Sequence, residues 1–95
     1  MGTARVIHGP EEFGLLEPGE VLVCRYTDPT WTPLFNVAAA VVADTGGPLS
    51  HAAIVAREVG IPAVLGTQSG TQDITSGQAI RVDGNTGLVT PVESE

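Results

Sequence analysis

The sequence predicts a small α/β domain, and three observations predict it. Short apolar runs at 21–24, 38–43 and 63–65 have the length of buried strands. Between the second and third runs lies a stretch with helix start and stop signals and apolar residues at helical spacing. Residues 79–83 then alternate apolar and polar, and a loop at 83–87 returns the chain through 88–90 as a hairpin. In order this reads β-α-β-α-β-α-β-loop-β-β, with helices on one side of the sheet layers.

Each element has a local reason. Residues 1–3 are expected to fray, and 4–8 read as a first strand ending at His8. Pro10 followed by Glu11 and Glu12 opens one or two helical turns, because proline suits the first helical position and acids suit the helix dipole. Phe13, Leu16 and Leu15 form its candidate buried side. Pro18 and Gly19 occupy the two central positions of a type II turn. Residues 21–24 are apolar without alternation, as in a strand covered on both faces. Asp28 or Thr30 can cap a short helix carrying Trp31, Leu34 and Phe35. Trp31 reads as a core anchor, with an interdomain contact as the alternative. Residues 67–74 form a polar loop with a helical turn, 75–78 a turn, and 91–95 a disordered tail or linker stub.

Size and charge narrow the function. Ninety-five residues make one domain with a modest core. No apolar run is long enough to span a bilayer and no signal-peptide pattern is present, so a cytoplasmic domain with no membrane partner is expected. Cys24 is alone and reads as a buried thiol; no site of metal-ligand spacing is found. The net charge is −7, all four cations are arginine, and there is no lysine. Nucleic acid is excluded as a partner, since its binding needs a basic stripe. No phosphate-loop lysine motif occurs, so the chain lacks the means to bind and activate a phosphoryl donor alone.

The most informative stretch is 44–62. Gly46, Gly47 and Pro48 end the preceding strand, and Ser50 is a good N-cap for a helix from 51 to 59. Leu49 and Ile54 could form a hydrophobic staple across that cap. Gly60 fits a left-handed C-terminal position, and Pro62 blocks a restart. Ala52, Val55, Ala56 and Val59 share one face, expected to pack on the sheet. His51 becomes the first helical residue. Free N–H groups there attract anions, above all phosphate, and the same field favours a neutral, nucleophilic imidazole. Such a site suits phosphoryl acceptance; a histidine there can also be an ordinary surface residue.

Residues 46–58, GGPLSHAAIVARE, closely resemble the phosphohistidine signature of the phosphoenolpyruvate-utilising enzymes, carried on their mobile, swivelling domain. The family includes pyruvate phosphate dikinase, phosphoenolpyruvate synthase, enzyme I of the sugar phosphotransferase system and rifampicin phosphotransferase. The resemblance continues through 60–66, GIPAVLG, and upstream through 27–35, TDPTWTPLF, which looks like the synthase and rifampicin branches. It covers about residues 19–90. One difference is Leu49, where the family usually has a small hydroxyl or amide residue.

The resemblance implies a swivelling β/β/α phosphohistidine domain over 1–95. It implies that His51 is transiently phosphorylated, on Nε2, and carries the phosphoryl group between partner sites. Gly46, Gly47, Ser50 and Ala52 are the expected phosphate-binding positions, although Ser50 suits a cap better. Arg57, six residues on, points away and reads as a salt-bridge or interdomain residue. Magnesium and ATP or phosphoenolpyruvate are expected on partner domains, fused or separate: an ATP-grasp-like nucleotide-binding domain and an acceptor-substrate or phosphoenolpyruvate domain. The other reading is a non-catalytic module that uses the fold for packing or partner binding.

Overall fold

The computed structural model describes residues 2–47, 49–68, 70–83 and 87–91. Strand β1 (Gly2–Val6) leads through a 3₁₀ helix (Pro10–Leu15) to β2 (Val21–Cys24). A second 3₁₀ helix (Pro29–Asn36) precedes β3 (Ala40–Ala43). Then come α1 (His51–Val59), β4 (Ala63–Leu65), α2 (Gly70–Asp73), β5 (Ala79–Asp83) and β6 (Leu88–Pro91). The strand order is β4-β3-β2-β1-β5-β6. The first four strands run parallel, and β5 and β6 turn antiparallel beside β1. No helix among the described residues is long and apolar enough to cross a membrane.

Three layers follow from the strand pattern. Leu22, Cys24, Val41 and Ala43 pack with Trp31, Leu34, Phe35, Ala52 and Ala56 on the helical side. The alternate residues Val21, Val23, Ala40 and Val42 pack with Ala4, Val6 and Ile80 on the other, against Val82 and Val89. The β5–β6 ribbon therefore folds back over the parallel sheet, and β5 also touches β4, so the sheet comes close to closing. Covering both faces is why 21–24 needs no polar alternation. The architecture is the β/β/α one that the resemblance implied.

Several local expectations change. Gly2 and Thr3 do not fray: they pair with Ile80 and Ala79. Pro91 is no tail residue, because it pairs with Ile80 at the end of β6. Ladder pairing depends on the backbone, so both strands outrun their apolar patterns. Met1, the loop at 84–86 and residues 92–95 lie outside the described residues. The staple is absent: Leu49 is 87% exposed and Ile54 is also exposed. The buried stripe of α1 narrows to Ala52 and Ala56 with Val55 beside them, and Val59 faces outward. Leu15 is exposed, whereas Phe13 packs edge-on against buried Trp31 at 4.9 Å between ring centroids. Trp31 is thus a core anchor.

Candidate functional site

The site forms where two neighbouring parallel strands end. Cys24 at the end of β2 is in register with Ala43 at the end of β3. The chain segments leaving those ends, 25–36 and 44–51, therefore emerge at one edge of the sheet, where α/β proteins place their ligand sites. Thr45 ties them together, its N–H and hydroxyl both donating to the Arg25 carbonyl at 3.0 Å.

The turn into α1 is held by its own backbone and by Ser50. Gly46 has φ +123°, a conformation side chains rarely adopt, and a Cβ there would lie 3.1 Å from Ser50 Oγ. The Ser50 hydroxyl donates to the Gly47 carbonyl at 2.8 Å and accepts from the Ala53 N–H at 3.4 Å. The Ser50 N–H also donates to the Gly47 carbonyl. Ser50 is therefore a committed cap. The N–H groups of His51 and Ala52 lie in the first turn, where a helix supplies no acceptor of its own. The Ala52 side chain is core, so only its backbone could serve an anion. Gly60, at φ +83°, ends the helix.

His51 is half-buried, with partners on both ring nitrogens. Nδ1 lies 2.8 Å from Thr27 Oγ1, and Nε2 lies 3.3 Å from Thr32 Oγ1. Phe35 meets the imidazole edge-on, with centroids 5.9 Å apart and planes at 86°. All three neighbours come from the 27–35 stretch, which Asp28 organises by accepting from the Thr30 N–H at 2.9 Å. Residue-level reading of the sequence missed the two threonines as partners of His51. Their signal was the pair of hydroxyls bracketing the Asp28-Pro29 helix start, legible only once β2 and β3 are known to be neighbours.

Beneath the turn sits Asp44, only 8% exposed. Its carboxylate accepts from the Thr71 N–H at 3.0 Å, the Thr71 hydroxyl at 2.6 Å and the Thr67 hydroxyl at 3.4 Å. Its carbonyl accepts from the Gln68 N–H at 2.8 Å. Thr67, Gln68 and the first turn of α2 are thereby tied to the residue that follows β3.

The other singled-out residues lie apart from this chemistry. His8 is exposed, and its N–H and Nδ1 both engage Glu12 Oε1, at 2.7 and 3.0 Å. The backbone N–H of His8, then its ring, hold the Glu12 carboxyl below the usual range. Cys24 is wholly buried, and burial, aided by the charge of Asp44, pushes its thiol up to about 12. Arg57 is exposed in the last turn of α1 and forms no ion pair among the described residues. Among the described residues no group of three or more His, Cys, Asp or Glu could hold a metal ion.

Residues 16–87 match the family described as the mobile domain of PEP-utilising enzymes. The chain is 53% identical over 91 residues to an uncharacterised phosphotransferase of Bacillus subtilis, covering 96% of this chain and 11% of that protein. It is 50% identical over 91 residues to a phosphoenolpyruvate synthase of Aquifex aeolicus, covering 93% and 11%. A chondramide synthase of Chondromyces crocatus is 58% identical over 89 residues, or 94% of this chain and 2% of that protein. A solution structure of enzyme I superposes with a TM-score of 0.73 at 33% identity, covering 87% of this chain and 34% of that one. The chain thus spans a small fraction of these much larger relatives. With its signature histidine on the first turn of α1, and this fold around it, the chain belongs to the mobile-domain family of the phosphoenolpyruvate-utilising enzymes.

Proposed function

We propose that this domain is a phosphoryl carrier in which Nε2 of His51 is the atom phosphorylated. The observation that carries the proposal is the pairing of His51 Nδ1 with Thr27 Oγ1 at 2.8 Å on a half-exposed ring. With Nδ1–H donating to that hydroxyl, the lone pair is left on Nε2. Nε2 attacks phosphorus in line: the N–P bond forms, the P–O bond to the leaving oxygen breaks, and that oxygen keeps the electron pair. The positive charge that develops stays on the imidazolium ring, where the Nδ1–H keeps its proton and donates a stronger hydrogen bond to Thr27 Oγ1. Phe35 holds the ring plane, and the Thr32 hydroxyl stands on the Nε2 side. Transfer to an acceptor reverses the same bond changes.

The donor comes from elsewhere in this reading. A domain of net charge −7 without lysine repels polyphosphates and phosphoenolpyruvate. The nucleotide or phosphoenolpyruvate site, its magnesium and the acceptor site belong to partner domains, one of them ATP-grasp-like. The small share of each relative that this chain spans supports that division.

The test uses phosphoramidate, a small phosphoryl donor that needs no partner domain. Mass spectrometry in alkali and phosphorus NMR on the full chain are expected to show acid-labile, base-stable phosphate on His51 Nε2. It forms faster there than on His8, and it disappears from His51 in His51→Ala. ATP or phosphoenolpyruvate alone gives no label. Equal labelling of the two histidines, or labelling of His51 on Nδ1, overturns the assignment.

A further inference from the structure

The segment that supplies Thr27 and Thr32 to His51 also lines a cleft of about 200 Å³ with its other residues: Arg25, Tyr26, Asp28, Thr30 and Trp31, joined by His8. We infer that this cleft is a second, separate binding site, for a small molecule that carries an oxyanion next to an ammonium or hydroxyl group.

Charge and hydrogen-bonding capacity carry the inference. Among the described residues the Arg25 guanidinium has no hydrogen-bond or ion-pair partner. Arg5 shows the pairing such a group can make: its Nε and Nη2 donate to Glu20 at 3.0 and 2.7 Å. An unpaired guanidinium on a residue that lines a concavity of a strongly acidic protein offers a planar fork that matches phosphate or carboxylate. His8 has only Nδ1 engaged by Glu12, which leaves Nε2 for a ligand. The hydroxyls of Tyr26 and Thr30 add donors, and buried Trp31 adds an apolar wall.

Asp28 decides the class more narrowly. Its Oδ1 accepts from the Thr30 N–H, and Oδ2 has no partner among the described residues. A bare anion would be repelled by this carboxylate, whereas a ligand bearing a cation or donor beside its oxyanion satisfies Arg25 and Asp28 together. The volume falls below the roughly 300 Å³ at which pockets for drug-sized ligands begin, so the ligand is small. The site stands whether or not His51 is phosphorylated.

The experiment is a titration of the nitrogen-15-labelled full chain with phosphoethanolamine, and in parallel with inorganic phosphate, at fixed ionic strength. Saturable amide shifts are expected at 8, 25, 26, 28, 30 and 31, with phosphoethanolamine the tighter of the two. Arg25→Ala weakens both at least tenfold. Asp28→Asn, which keeps the helix cap, removes the preference for phosphoethanolamine. His51→Ala binds as the parent does, so this result is independent of labelling at His51. Non-saturating shifts, shifts confined to 46–52, or an Arg25→Ala variant that binds unchanged would each overturn the inference.

Discussion

Thr27 Oγ1 lies 2.8 Å from His51 Nδ1, across 24 positions of sequence. The contact joins the segment after β2 to the first turn of α1 and holds the orientation of the imidazole. Thr27→Val keeps the shape and removes the acceptor. One neutral hydrogen bond contributes about 1 kcal/mol, so labelling of His51 by phosphoramidate is expected to slow about fivefold. Nitrogen-15 shifts of the imidazole should show a mixed tautomer, and Thr27→Ser should restore both rate and tautomer. A mutant with parental tautomer and rate would deny Thr27 a positioning role.

The Asp44 clamp predicts a stability effect. Asp44→Ala strips partners from the Thr71 N–H and hydroxyl. Leaving partly buried donors unmet costs about 2 kcal/mol. A drop of about 10 °C in Tm follows for a domain of this size, readable by circular dichroism.

The Arg5–Glu20 pair predicts an acid limb. The Arg5 hydrogen bond, and then the Glu17 N–H, hold the Glu20 carboxyl below its ordinary range in the fold. Its contribution is therefore complete above the unfolded value of about 4.3 and is lost as pH falls through the lower folded value. Glu12, lowered by the His8 backbone N–H and ring, acts in the same direction. Urea melts of Glu20→Gln should show a shallower fall in stability below pH 4.3 than the parent, with Glu12→Gln removing part of what is left.

Cys24 predicts an alkaline limb of the opposite sign. Its thiol titrates near 12 in the fold, against about 8.5 unfolded. Above that lower value the unfolded chain releases a proton that the fold retains, so stability declines as pH rises. Native protein at pH 8 should react with a thiol reagent only at its opening rate, accelerated by urea. Prompt reaction in the native state would mean the thiol is accessible.

Much of this was legible before any coordinates. Ser50 and Gly60 bound α1 because capping and left-handed turns are local chemistry, and both ends fall where they were expected. Asp28 likewise caps its 3₁₀ helix, and Gly19 sits at φ +86° in its turn. The misjudged positions are those where neighbours decide. Leu49, Ile54, Val59 and Leu15 are apolar yet exposed, because spacing gives a face but not what covers it. Gly2 and Pro91 lie in strands because β5 offers each an antiparallel partner.

The sequence by itself determined the family, the helix that begins at His51, and the acidic, lysine-free character of the chain. Those depend on short-range signals and on composition. Only the tertiary structure decided which groups meet the imidazole. Thr27, Thr32 and Phe35 reach His51 because β2 and β3 lie side by side in parallel and discharge their following segments at one edge. That adjacency is a property of strand pairing, which no local spacing encodes.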